Sequence, residues 1–153
     1  MLKNLIKRLK GNASELAGSA LSADNDVVME AMVSAMVLTA YADGICADEE
    51  VDAVNKLIQS SPQLREFHSE PARLFDRYCD LYEASPMMAK IDLMKNIDKI
   101  VGDAQNAPRV LISAIEVAFA ESGDEEEVAL SPKEEQILSD IARKLDLRLG
   151  QFI

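Results

Sequence analysis

The chain has 153 residues, of which 48% are hydrophobic and only 5% aromatic, with no Trp. Such a chain can bury one core without disulfides or a structural metal, and that core must be built from Leu, Ile, Val, Met and Ala, which favours helices. The net charge of −11 excludes a nucleic-acid ligand, which needs a basic surface, and fits cations or basic partners as well as plain solubility. Two cysteines, Cys46 and Cys79, make no disulfide framework and read as free thiols in a reducing cytoplasm.

In chain order, the first ten residues carry Lys3, Lys7, Arg8 and Lys10 and no acid, while Leu2, Leu5, Ile6 and Leu9 share one helical face. Two readings of this basic amphipathic segment stand. It packs on the acidic body, or it makes a weak peripheral contact with an anionic membrane surface; four basic residues are a weak anchor, which favours packing. The segment lacks the continuous apolar stretch and cleavage site of a signal peptide, and no stretch of the sequence has the length of a membrane span. The small polar run SALSADN reads as a connector, so residues 1–22 separate from a helical domain over 23–153.

The spacing of Val28, Ala31, Met32, Ala35, Met36 and Thr39 predicts a helix from about 25 to 43. It is nearly free of charge and should be the most buried of all, with Gly44 ending it. A second helix follows over about 48–60, with Val51, Val54, Leu57 and Ile58 inward. Ser69 and Pro71 start a third, over about 70–84, with Leu74, Phe75, Tyr78, Cys79 and Tyr82 inward. Pro86 opens a fourth, to about 103, carrying Met87, Met88, Ile91, Met94, Ile97 and Val101. Asn106 is the expected cap of a fifth, over about 107–122, and Ser131-Pro132-Lys133-Glu134 is a strong start signal for the last. No segment alternates like a strand. The expectation is an all-α, single-domain helical bundle of about seven or eight helices.

One helix–loop–helix occurs twice. MVLTAYADGICADEEVDAVNKLI runs from Met36 to Ile58, and IEVAFAESGDEEEVALSPKEEQILSDIA from Ile115 to Ala142. Glu50 lies six residues after Gly44 and Glu134 eleven after Gly123, so the second loop is the first with five residues added, within DEEEVA. Val54 and Leu57 then match Leu138 and Ile141. This duplication predicts two hairpins in pseudo-two-fold relation.

The loops admit two readings. Glu at the third helical position reaches back to cap the helix and complements its positive end, and Asp43 before Gly44 closes a turn; the loop is then a corner that binds nothing. Alternatively Asp43 with Asp48, Glu49 and Glu50, and in the second loop Glu121, Asp124 and Glu134, supply the oxygen donors that a hard divalent cation takes. Acidic loops are more often simply solvated. Asp124 to Glu135 has the twelve-residue length of an EF-hand loop but places Val128 at position five, Ala129 at position six and Pro132 at position nine, where that loop needs an oxygen donor, Gly and a further ligand.

TAYADGICADEEVDAVNKLI together with AFAESG and LSPKEEQILSDIARKLDL resembles the TerB family of tellurite-resistance proteins, over about residues 25–152. The resemblance implies an all-helical, internally pseudo-symmetric fold and no enzymatic activity. It also implies a cytoplasmic stress-resistance protein, working in complexes with membrane partners at the inner face of the membrane and binding a divalent metal (Ca, Mg, Mn or Zn) through its acidic loops. Carried over by position, the metal residues are Asp43 and Glu50 in the first loop and Glu134 in the second. The Asp expected before Gly123 is Ser122 here, and Asp124 or Glu121 would have to substitute. The alternative function is a metal-free acidic domain that engages a basic protein partner.

No other chemistry has a complete set of residues. His68 is the only histidine and has no motif partner, Cys46 sits among carboxylates that disfavour a thiolate, Cys79 and Met32, Met36, Met88 and Met94 read as core, and no phosphate loop or nucleophile–base–acid set is present.

Overall fold

A computed structural model describes residues 25–44, 46–121 and 130–153. The expected basic N-terminal helix, its connector and Asp124 lie outside the described residues. These residues form six α-helices and no strand: α1 (Asn25–Ala40), α2 (Asp48–Ser60), α3 (Glu70–Ala84), α4 (Pro86–Asp98), α5 (Asn106–Glu121) and α6 (Pro132–Lys144). Short 3-10 turns at Arg65–Phe67 and Leu149–Gln151 complete them, so the all-α expectation holds with six helices where seven or eight were expected over the whole chain.

The central helix is α1, in which every residue from Val28 to Ala40 except Glu30 is buried. Its two polar side chains are satisfied locally or across the core: Thr39 Oγ1 donates to the Ala35 carbonyl at 2.8 Å, and Ser34 Oγ accepts from Asn96 Nδ2 of α4 at 3.1 Å. A helix buried on all sides needs partners on all sides. α5 is the principal one, with α4 and α3 closing the remaining flanks. α5 is itself deeply buried, with Val110, Leu111, Ile112, Ala114, Ile115, Val117 and Ala118 all inside.

The second helix of each hairpin closes on this pair: α2 packs mainly on α5, and α6 packs on α5, α1 and α4. The helices α3 and α4 pack on each other and on α1. The inner faces of α2 (Val54, Ile58), α3 (Leu74, Phe75, Cys79, Tyr82) and α6 (Leu138, Ile141, Ala142) are those that helical spacing selects.

Three expectations need correction. α4 buries Ala89, Leu93 and Ile97, whereas Met87, Met88 and Ile91 are 75%, 52% and 46% exposed. Met88 is therefore not core, and Val101 is also exposed, in the turn after the helix. Ala89, Leu93 and Ile97, each four residues apart, form the buried stripe, and Met87, Met88 and Ile91 fall off it. The cap of α5 is Asp103 and not Asn106: its Oδ1 accepts from the backbone N–H groups of Gln105 and Asn106 at 3.1 and 3.0 Å. Ser69 makes no side-chain cap at α3, although Pro71 does sit in the first turn.

Candidate functional site: the acidic corner between the hairpins

The polypeptide leaves α1 by a tightening turn in which the N–H of Ala42 donates to Thr39 and that of Gly44 to the Tyr41 carbonyl, at 3.1 and 2.8 Å. Gly44 has φ +89°, a conformation open to Gly and strained for other residues. This reversal leaves Asp43 exposed at the tip. Cys46 and Ala47 then lead into α2, whose first turn holds Asp48, Glu49 and Glu50. The N-cap is Ala47, with extended backbone and no side-chain oxygen. The orphan N–H groups at this helix start therefore receive no side-chain cap from Ala47, and the three carboxylates complement the helix dipole only through its field.

The second hairpin starts its helix differently. Ser131 Oγ accepts from the Glu134 N–H at 3.1 Å, while Glu134 Oε1 accepts from the Ser131 N–H at 3.1 Å. This complete capping box commits one oxygen of Glu134 to helix structure.

Glu50 and Glu134 each occupy the third position of their helices and come together at the same end of the bundle. The carboxyl of Glu50 is pushed above its ordinary range, first by burial, then by the negative charge of Asp43 and then by that of Glu134. Asp43, Glu50 and Glu134 thus share one electrostatic corner, although 84 residues of sequence separate the last two (134 − 50). Asp124, the fourth residue singled out in the sequence, lies outside the described residues. Among the described residues no three His, Cys, Asp or Glu side chains stand close enough together to hold a metal ion as they are placed. The donor chemistry fits a hard divalent cation, while a ligand set from this corner requires the carboxylates to swing closer together.

The remaining candidates are structural. His68 is exposed, in a left-handed conformation at φ 57° after the Arg65–Phe67 turn. Burial pushes the Cys79 thiol up to about 12, opposed by its hydrogen bond to Tyr41 and reinforced by Asp76, Glu83 and Asp80, so it stays protonated and unreactive at neutral pH. Helical spacing did not reveal two polar groupings. Arg109 bridges from α5 to the segment after α2, donating to Gln63 Oε1 and the Gln63 carbonyl, both at 3.0 Å, and pairing with Glu66 at 2.7 Å. Glu116, one face further along α5, accepts from Ser61 Oγ at 3.3 Å and has its carboxyl raised by burial, partly offset by that bond. The single charges on the otherwise apolar face of α5 were the available signal for both.

An all-helical protein in which two helical hairpins bring carboxylates to one end of a buried helix pair is the class that these features define. The family model described as "Tellurite resistance protein TerB" matches residues 29–153, and the chain belongs to the TerB family. Searches of curated proteins and of solved structures each gave no significant match. Among the described residues, no helix is long and apolar enough to cross a membrane.

Proposed function

We propose that this TerB-family chain is a non-catalytic module that binds a divalent cation at the corner between its hairpins and acts within a protein complex. The observation that carries this reading is that Asp43, Glu50 and Glu134 come to one corner of the fold, where burial first and the two neighbouring charges next push the Glu50 carboxyl up. Three like charges gathered at one edge of a folded protein repel, and a divalent cation relieves that repulsion in a way that water and monovalent salt do poorly. Asp43 and Glu50 are the principal donors, since neither is tied to a helix cap, and the second oxygen of Glu134 completes the set. The cation then links α1, α2 and α6 at the point where the hairpins meet, so its binding biases how the two hairpins sit and what surface they offer a partner. Asp124 stands as an additional donor on sequence grounds alone. The family's stress-resistance role supports a cytoplasmic setting, with the basic N-terminal segment as the contact toward a membrane-bound partner.

A second reading has its own support. The capping box of Glu134 and the acid-rich first turn of α2 account for these carboxylates through helix stability. The module is then a metal-free acidic domain that engages a basic partner.

Calorimetric titration with Ca²⁺, Mg²⁺, Mn²⁺ and Zn²⁺ separates the two. The first reading expects saturable binding of at least one cation, lost in Asp43→Asn/Glu50→Gln. No heat and no thermal stabilisation with any of the four ions would leave the metal-free reading, and binding that survives the double substitution would move the site elsewhere.

A further inference from the structure

A cleft of about 230 Å³ opens where the end of α1 meets α3, α4 and α6. Its floor is apolar and fixed. Tyr41 and Tyr82 stack with ring centroids 4.4 Å apart and planes 22° from parallel, and Leu38 and Ile137 continue the surface. The Tyr41 hydroxyl is tied to Glu83 Oε1 at 3.1 Å, which locks the ring in place.

The rim brings two lysines to the cleft, beside the carboxylates of Asp140 and, at the Tyr41 hydroxyl, Glu83. Lys90 arrives from α4 and Lys133 from the first turn of α6. A lysine in the first turn of a helix opposes the helix dipole, so Lys133 stands where an anion is stabilised and a cation is not. The ion pairs among the described residues are Arg73–Glu70, Arg109–Glu66 and Lys144–Asp98. In a chain with 27 acidic residues, the two lysines that converge on this cleft are in none of them. The rim also holds Asp140, whose Oδ1 accepts from Gln136 Nε2 at 2.9 Å. This carboxylate opposes a polyanion and limits the charge that the cleft accepts.

We propose that this cleft binds a small amphipathic anion, a carboxylate or phosphate monoester with a flat apolar body. Lys90 and Lys133 hold the anionic group, and the body lies on Ile137 and the few exposed edge atoms of Tyr41, Tyr82 and Leu38, which are 3%, 3% and 2% exposed. At about 230 Å³ the cleft is smaller than the pockets that hold drug-sized ligands, so it admits only a small molecule and no folded partner. The site is distinct from the acidic corner, although Ala42 and Lys133, which line it, are the chain neighbours of Asp43 and Glu134.

The test is a titration of the full chain with phenyl phosphate in the presence of EDTA, which keeps it independent of the cation reading. Binding is followed by tyrosine fluorescence, unobscured because the chain has no Trp, and by the methyl NMR signals of Leu38 and Ile137. Inorganic phosphate serves as the probe for charge alone and benzyl alcohol as the probe for the body alone. The expected result is saturable movement of both methyl signals with phenyl phosphate, weaker binding of either control, and at least about a tenfold loss of affinity in Lys90→Gln/Lys133→Gln. Both lysines are exposed and Lys133 opposes the helix dipole, so the variant should melt no lower than the parent. The absence of saturable shifts at Leu38 and Ile137, or equal affinity in the double variant, overturns the proposal. Inorganic phosphate binding as tightly as phenyl phosphate overturns the apolar half of it.

Discussion

The two hairpins place a glutamate at the same helical position and use it differently. In the second, Glu134 closes a capping box with Ser131. In the first, the N-cap is Ala47, so Glu50 has no serine to answer and is left half-buried, facing Asp43 and Glu134 with its carboxyl pushed up. A duplicated scaffold thus keeps one acid for helix stability and leaves the other in electrostatic stress. Stress of this kind is what a ligand relieves, which is why the proposed cation site is centred on the first loop.

If the repeat is energetic as well as geometric, matching core positions should cost alike. Met36 and Ile115 each lie seven residues before the residue that precedes their loop glycine, and both are fully buried. Met36→Ala and Ile115→Ala should each lose about 2–5 kcal/mol in urea denaturation, and a several-fold difference between them would confine the pseudo-symmetry to the backbone. A smaller effect comes from exchanging the caps. Ser131→Ala should cost about 1 kcal/mol, and Ala47→Ser, at a backbone conformation already suited to a cap, should add a similar amount. The new hydroxyl also invites Glu50 to cap its own helix and draws it away from Asp43. Unchanged stability in Ala47→Ser would mean that Glu50 is held at the corner by more than the absence of a cap.

The smallest effect concerns pH. A carboxyl raised in the folded state binds more protons folded than unfolded, so its penalty is absent at low pH and grows as pH rises from the ordinary value of 4.5 through the folded value. Glu50→Gln should therefore raise the melting temperature at neutral pH by roughly 1–2 °C, as befits a partly solvated charge. The gain should vanish as the pH falls to where the parent carboxyl is itself protonated. A gain that persists there would mean that packing and not charge is responsible.

The helices were legible because apolar spacing, Gly44, Pro86 and the Ser131 signal act locally; the repeat matched Glu50 and Glu134 in helical position, but their approach in space depends on how the hairpins pack and was not read from it. The outward turn of Met87, Met88 and Ile91 was not legible either. It depends on which stripe of α4 the neighbours cover, that of Ala89, Leu93 and Ile97, and a methionine reads the same on either face. The replacement of Asn106 by Asp103 as the cap of α5 was missed because both residue types cap well, and only the fold of the preceding turn chooses between them. The cleft beside the tyrosine stack joins residues from four helices. Its single hint in the sequence was a lysine in the first turn of a helix.

The all-round burial of α1 bears on the order in which the chain is made. This helix leaves the ribosome early as a nearly uncharged apolar segment, yet its principal partner, α5, begins only at Asn106. At bacterial or eukaryotic translation speeds that interval lasts several seconds. During it, α2 and then α3 and α4 give only partial cover, and the apolar surface meant for α5 stays open to solvent or to a chaperone. The last third of the chain therefore decides whether the first helix becomes a core or a site of aggregation.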